Sequence, residues 1–105
     1  MSTPIDLTRR VRVRLATSHD CTEPGEMDPR RGLGVEVVGW GYRCPGCGQG
    51  SYLPRNGIDG ETQGWTLLSG DPSDPATMTL SPSLRCLNRS CGWHGWLRAG
   101  ELVPC

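Results

Sequence analysis

The chain has 105 residues, eleven basic and eleven acidic side chains, 35% hydrophobic residues and no Phe. Zero net charge removes any bulk electrostatic case for nucleic acid or membrane, and no apolar run approaches the ~18 residues of a membrane span. A chain this short makes one domain, 1–105. With fifteen Gly and nine Pro, its core is small enough to need a metal or disulfides as a staple.

Met1-Ser-Thr-Pro-Ile is not a signal peptide. The expected location is the cytoplasm, where thiols stay reduced and cysteine clusters usually mean metal. All eleven basic residues are Arg, for which GC-rich coding is the plain explanation. Val11, Val13 and Leu15 alternate with Arg10, Arg12 and Arg14, the period-2 mark of a half-buried strand whose arginines form the wet face. Residues 17–34 are polar and turn-rich and read as a loop insertion. Val35 to Arg43 is the next strand and delivers Cys44 at its end. Tyr52-Leu53 continues beyond a Cys-Pro-Gly-Cys turn, and residues 57–60 make another turn. A strand follows at 65–68, a loop at 69–76 and a strand at 77–80. Trp93 to Arg98 and Glu101 to Val103 read as a hairpin turning at Ala99-Gly100. No segment has a 3.6-residue apolar period, so the expected fold is a small all-β domain with long polar loops. Trp40, Trp65 and Trp96 lie in predicted strands and are read as core, whereas Trp93, between Cys91 and His94, is placed at the wall of a site.

The cysteines carry the strongest signal. Cys44-Pro-Gly-Cys47 and Cys86-Leu-Asn-Arg-Ser-Cys91 are close pairs about forty residues apart. This is the zinc-ribbon way of presenting four thiolates to one tetrahedral ion. The first pair has Pro and Gly inside and Gly after, which suits a tight turn. The second is two residues longer. One structural zinc on Cys44, Cys47, Cys86 and Cys91 is therefore expected, its binding energy serving as folding energy. Cys21 and Cys105 are left over, either free or paired with each other, with Cys105 also an alternative ligand or reactive thiol.

Ser83 and His94 flank the second pair from opposite sides. If Cys86 and Cys91 share a metal, the hydroxyl and imidazole approach each other, and such a pair is a minimal nucleophile and base. The same residues have plainer readings: Ser81 and Ser83 as turn residues around Pro82, and His94 as a metal ligand or strand residue. Asp71, Asp74 and Glu101 are all available to orient the His. Arg85, Arg89 and Arg98 make a local basic patch, too small to argue for nucleic acid.

From Cys44 to the end, the chain resembles a family of small phage and bacterial zinc-knuckle proteins. The resemblance rests on Cys44-Pro-Gly-Cys47-Gly48, Gly64-Trp65-Thr-Leu67, Leu80-Ser81-Pro82-Ser83-Leu84, Cys91-Gly-Trp-His94, Trp96-Leu97-Arg98 and Gly100. Bacterial members resemble the peptidase of ubiquitin-like conjugation operons. The resemblance implies a Ser–His peptidase beside a structural zinc, trimming a ubiquitin-like precursor or removing it from targets. It assigns Ser83 as nucleophile, His94 as base, and Cys44, Cys47 and Cys91 as ligands, with Cys86 the natural fourth. The family's bacterial form has a third cysteine in the first knuckle, absent here.

The sequence thus reads as a zinc-stapled, phage-type Ser–His peptidase acting on a protein, ubiquitin-like ones included, in the cytoplasm. The alternative is a non-catalytic zinc-ribbon module that binds a protein or, less favoured, nucleic acid. A zinc hydrolase ranks last, because several thiolates neutralise the metal and weaken it as a Lewis acid.

Overall fold

The computed structural model describes residues 9–16, 24–58 and 60–105. Among these described residues ten strands run in order: β1 Val11–Arg12, β2 Arg14–Leu15, β3 Glu26–Arg31, β4 Val37–Arg43, β5 Gly50–Pro54, β6 Thr66–Ser69, β7 Thr79–Ser81, β8 Leu84–Arg85, β9 His94–Arg98 and β10 Glu101–Pro104. A 3₁₀ turn, Pro75–Thr77, precedes β7. The all-β expectation holds.

Two four-stranded sheets carry the molecule, β1-β10-β9-β8 and β2-β3-β4-β5, with β6-β7 as a separate ribbon. The N-terminal strand divides between the two sheets. β1 pairs with β10 and β2 with β3, and Val13 at the break is buried, its N–H donating to the Gly100 carbonyl at 2.8 Å. Alternation therefore fails at the far end: Leu15, expected inside, is 46% exposed because it follows the switch.

The sequence reading is corrected most clearly at 17–34. Residues 17–23 lie outside the described residues, but Glu26–Arg31 is a strand rather than loop, antiparallel to β4. Its sequence, Glu-Met-Asp-Pro-Arg-Arg, hides this because a single apolar residue, Met27, anchors it in the core. Asp28 is buried beside it. A buried carboxylate is tolerable only when paired, and Arg30 Nε sits 2.5 Å from Asp28 Oδ2.

β4 is flanked by β3 and β5 and supplies Trp40 and Tyr42 to the core, while β7, β8, β9 and β10 supply Leu80, Leu84, Leu97 and Leu102. Each such side chain contributes about 1.5–3 kcal/mol by leaving water. The β9–β10 hairpin turns at Ala99 (φ 47°) and Gly100 (φ 77°), the paired positive φ values of a type I′ turn. The Gly100 N–H donates to the Met78 carbonyl at 2.8 Å, tying the hairpin to β7. No helix among the described residues is long and apolar enough to cross a membrane.

Candidate active site and metal centre

Each four-stranded sheet ends one of its hairpins in a cysteine knuckle. β4 and β5 carry Cys44 and Cys47 between them, and β8 and β9 carry Cys86 and Cys91. The first knuckle is closed by its own backbone: Gly48 N–H donates to Cys44 C=O at 2.9 Å, and Cys44 N–H to Gln49 C=O at 3.0 Å. Arg43 Nη1 also reaches Gly48 C=O at 2.9 Å. In the second knuckle Cys86 N–H bonds Trp93 C=O at 2.9 Å, extending the β8–β9 ladder, and Cys91 N–H bonds Asn88 C=O at 3.0 Å. Backbone N–H groups also point at sulfur: Gly46 at Cys44 Sγ, 3.3 Å, and Asn88 at Cys86 Sγ, 3.4 Å.

The two knuckle tips meet, and their four sulfurs lie within 4.8 Å of one another. Cys44 and Cys91 are 3.7 Å apart, sulfur to sulfur, and Cys47 and Cys86 3.5 Å. Bonds of ~2.3 Å from a tetrahedral zinc imply sulfur–sulfur edges of about 3.8 Å. The sulfurs are therefore close enough together to hold one metal ion. Burial pushes the Cys44 thiol up to about 12 and raises that of Cys86. At Cys47 burial also pushes upward, but the Gln49 N–H and the neighbouring thiols outweigh it and lower the value. Cys44 and Cys86 thus hold their protons more tightly than a free thiol does, and a bound cation would displace them. Tyr42 lies behind it, its phenol pushed upward first by burial and then by the charge of the four sulfurs.

Ser83 and His94 sit at the base of the second knuckle. Leu84, fully buried, fixes the chain so that Ser83 before it faces the other way. His94 opens β9 and stands opposite Arg85 in the ladder, while Gly95 stands opposite Leu84. This register brings Ser83 Oγ to 2.6 Å from His94 Nε2. The other ring nitrogen, Nδ1, lies 3.3 Å from Cys105 Sγ, and the Cys105 N–H donates to the His94 carbonyl at 3.1 Å. His94 is thus not among the clustered metal-ligating side chains. Cys105 is exposed, unpaired and apart from the sulfur cluster; Cys21 lies outside the described residues. The carboxylates named as possible partners of His94 are engaged elsewhere. Asp71 accepts from Ser73, Asp74 caps the 3₁₀ turn through Ala76 N–H, and Glu101 pairs with Arg10.

Trp93 is corrected from site wall to core. It is 2% exposed and tilted against Tyr42, ring centroids 6.5 Å apart, because the residue before His94 must face the opposite side of the strand. Trp96, read as core, is half-buried with the Arg98 guanidinium 5.2 Å above its ring. An open cleft of about 350 Å³ lies beside the dyad, lined by Arg85, Cys86, Arg89, Gly92 and His94. Sequence reasoning did not foresee Cys105 beside the imidazole; only its sulfur hinted at a role.

The model of one protein family, described as bacterial ubiquitination-like system serine protease (BubE), matches residues 18–105. No curated protein and no solved structure matches the chain.

Proposed function

The chain belongs to this family of serine proteases, and on that premise we propose that Ser83 is its nucleophile, His94 its general base, and a protein of the ubiquitin-like kind its substrate. The observation that carries the reading is the 2.6 Å separation of Ser83 Oγ and His94 Nε2, within the hydrogen-bond reach that proton transfer requires. Ser83 Oγ attacks the scissile carbonyl carbon as its proton passes to Nε2. The tetrahedral adduct then collapses, and the departing amine takes that proton from the imidazolium. Water, deprotonated by His94, hydrolyses the resulting ester and returns Ser83 to its hydroxyl form. For this cycle Nε2 must begin as the acceptor, so the neutral ring carries its hydrogen on Nδ1, the nitrogen facing Cys105. Backbone N–H groups of the Ser81–Leu84 turn or of Cys91–Gly92 stabilise the oxyanion; the second pair already points at the Asn88 carbonyl, which favours the first.

Cys44, Cys47, Cys86 and Cys91 would hold one zinc ion, whose contribution is structural. The cluster joins the tip of the β4–β5 hairpin to that of β8–β9, and so holds Ser83 and His94 to the tolerance that catalysis needs.

The test is a pair of substitutions read for both turnover and metal. Ser83→Ala is expected to lower turnover on the order of 10⁴-fold or more while metal content stays stoichiometric. His94→Ala is expected to do the same. Loss of metal on His94→Ala, or full activity in Ser83→Ala, would sink the assignment and favour a non-catalytic zinc-ribbon module.

A further inference from the structure

We propose that Arg85 and Arg89 form an anion subsite that takes a carboxylate of the substrate peptide beside Ser83; the proposal rests on the protease reading. In the β8–β9 ladder Arg85 stands directly opposite His94. Opposed residues of an antiparallel pair project from the same face, so this guanidinium rises beside the imidazole that contacts Ser83. Arg89 comes from the tip of the second knuckle and lines the same cleft. Both arginines are exposed, and among the described residues neither has an ion pair; the charge pairs there join Arg10 to Glu101 and Arg30 to Asp28. Among the described residues no acidic side chain lines the cleft. In a chain of zero net charge, the wall next to the reacting hydroxyl is thus locally cationic.

A guanidinium presents a planar fork of donors that matches a carboxylate with two parallel hydrogen bonds. Two such forks within one cleft select a substrate carrying a carboxylate close to the cleaved bond. That carboxylate belongs either to an Asp or Glu side chain or to the free C-terminus of a chain that loses only its last residues. A competing role is purely local. Four thiolates around a divalent metal leave two negative charges, and arginines flanking Cys86 would offset them.

The experiment uses the full chain loaded with zinc, with Ser83→Ala to prevent turnover, and three labelled peptides of one backbone. The first has a central Glu and an amidated end, the second a central Gln and a free carboxylate end, and the third a central Gln and an amidated end. Fluorescence anisotropy is expected to show at least one carboxylate peptide bound about tenfold tighter than the neutral one. Which one binds identifies the source of the carboxylate. Adding Arg85→Gln and Arg89→Gln is expected to erase that preference with metal content unchanged. Equal binding of all three peptides overturns the subsite, as does a preference that survives both substitutions or disappears only together with the metal. A single-stranded oligonucleotide that binds tighter than every peptide also overturns it, in favour of a phosphate ligand. Labelling of Ser83 by a fluorophosphonate in the otherwise unaltered chain is read separately. If the arginine-dependent preference holds and Ser83 is neither labelled nor needed for cleavage, the protease reading fails and the binding site stands.

Discussion

The two cysteine knuckles are built alike and do different things. Both lie at the tip of an antiparallel hairpin, both hold two sulfurs toward a common centre, and both follow the second cysteine with a glycine in the left-handed region, Gly48 at φ 80° and Gly92 at φ 73°. The first is two residues shorter inside and is closed by hydrogen bonds to its own carbonyls and by Arg43. In the second, Leu87, Asn88, Arg89 and Ser90 are all exposed, and the strand ends at its base bring Ser83 and His94 together. One knuckle spends its length on shape, while the other opens a cleft. On the proposed reading, the chemistry belongs to the longer loop and the rigidity to the shorter one.

Breaking the shared centre should have the largest effect, and it should treat the two knuckles equally. Cys44→Ala and Cys86→Ala are both expected to abolish stoichiometric metal and to cost several kcal/mol, on the order of a small domain's entire stability. Metal analysis and thermal denaturation read this directly. Because Cys44 in the metal-free protein is pushed up to about 12 by burial, it is protonated at neutral pH. Zinc must therefore displace that proton, and titrating zinc into metal-free protein in weak buffer should release acid. The sign follows: metal affinity falls as pH falls, since protons compete for each sulfur. A titration with no proton release would mean that the cluster is ionised without a cation, contrary to its burial.

Making the second knuckle resemble the first should separate metal from function. With Leu87–Ser90 replaced by Pro-Gly, the four sulfurs keep ribbon spacing, so the metal is expected to stay. The cleft loses Arg89 and its outer wall, and turnover is expected to drop by about a hundredfold. Retained activity would show that the extra length has no role in catalysis.

The paired glycines sharpen the comparison further. A Cβ at Gly48 would make ordinary contact with the Pro24 ring and one at Gly92 would meet nothing, so both Gly→Ala substitutions carry mainly the left-handed penalty of about 1–2 kcal/mol. Their melting shifts should be similar. Turnover should fall only in Gly92→Ala, whose methyl group enters the cleft. Equal activity loss in both would mean that the cleft wall at Gly92 has no role in turnover.

What could be read in the sequence followed the same divide. Cysteine spacing is a rule of metal geometry, and Ala99-Gly100 is a rule of turn geometry, so the sulfur cluster and the last hairpin were legible. So was the nearness of Ser83 and His94, since a closed knuckle must bring its flanks together. β3 was not, because its burial rests on Met27 and on an Asp28–Arg30 pair that only tertiary packing reveals. The handover of the N-terminal strand between sheets at Val13 left the alternation intact on paper while turning Leu15 outward. Trp93 was misread through its neighbours: standing between Cys91 and His94 says nothing of which face of the chain it occupies.

The smallest expected effect concerns Cys105. In triads with a buried carboxylate behind the histidine, altering that carboxylate lowers turnover by about 10⁴-fold, because the ring adopts the wrong tautomer. Here the group beside Nδ1 is an exposed sulfur at 3.3 Å, and water can take its place once it is removed. The strand still fixes the ring, since the Cys105 N–H to His94 C=O bond is made by backbone and survives substitution. Cys105→Ala is therefore expected to lower kcat only about three- to tenfold, with KM and metal content unchanged. Cys105→Ser, whose hydroxyl also accepts from Nδ1–H, is expected to restore part of the loss. Iodoacetamide applied to the folded, zinc-loaded protein should modify Cys105 ahead of buried Cys44 and Cys86 and lower activity more than the Ala substitution does, because the adduct crowds the imidazole. A loss in Cys105→Ala as deep as that of His94→Ala would mean that the sulfur does more than steady the ring, and that the longer knuckle's site is a three-membered one.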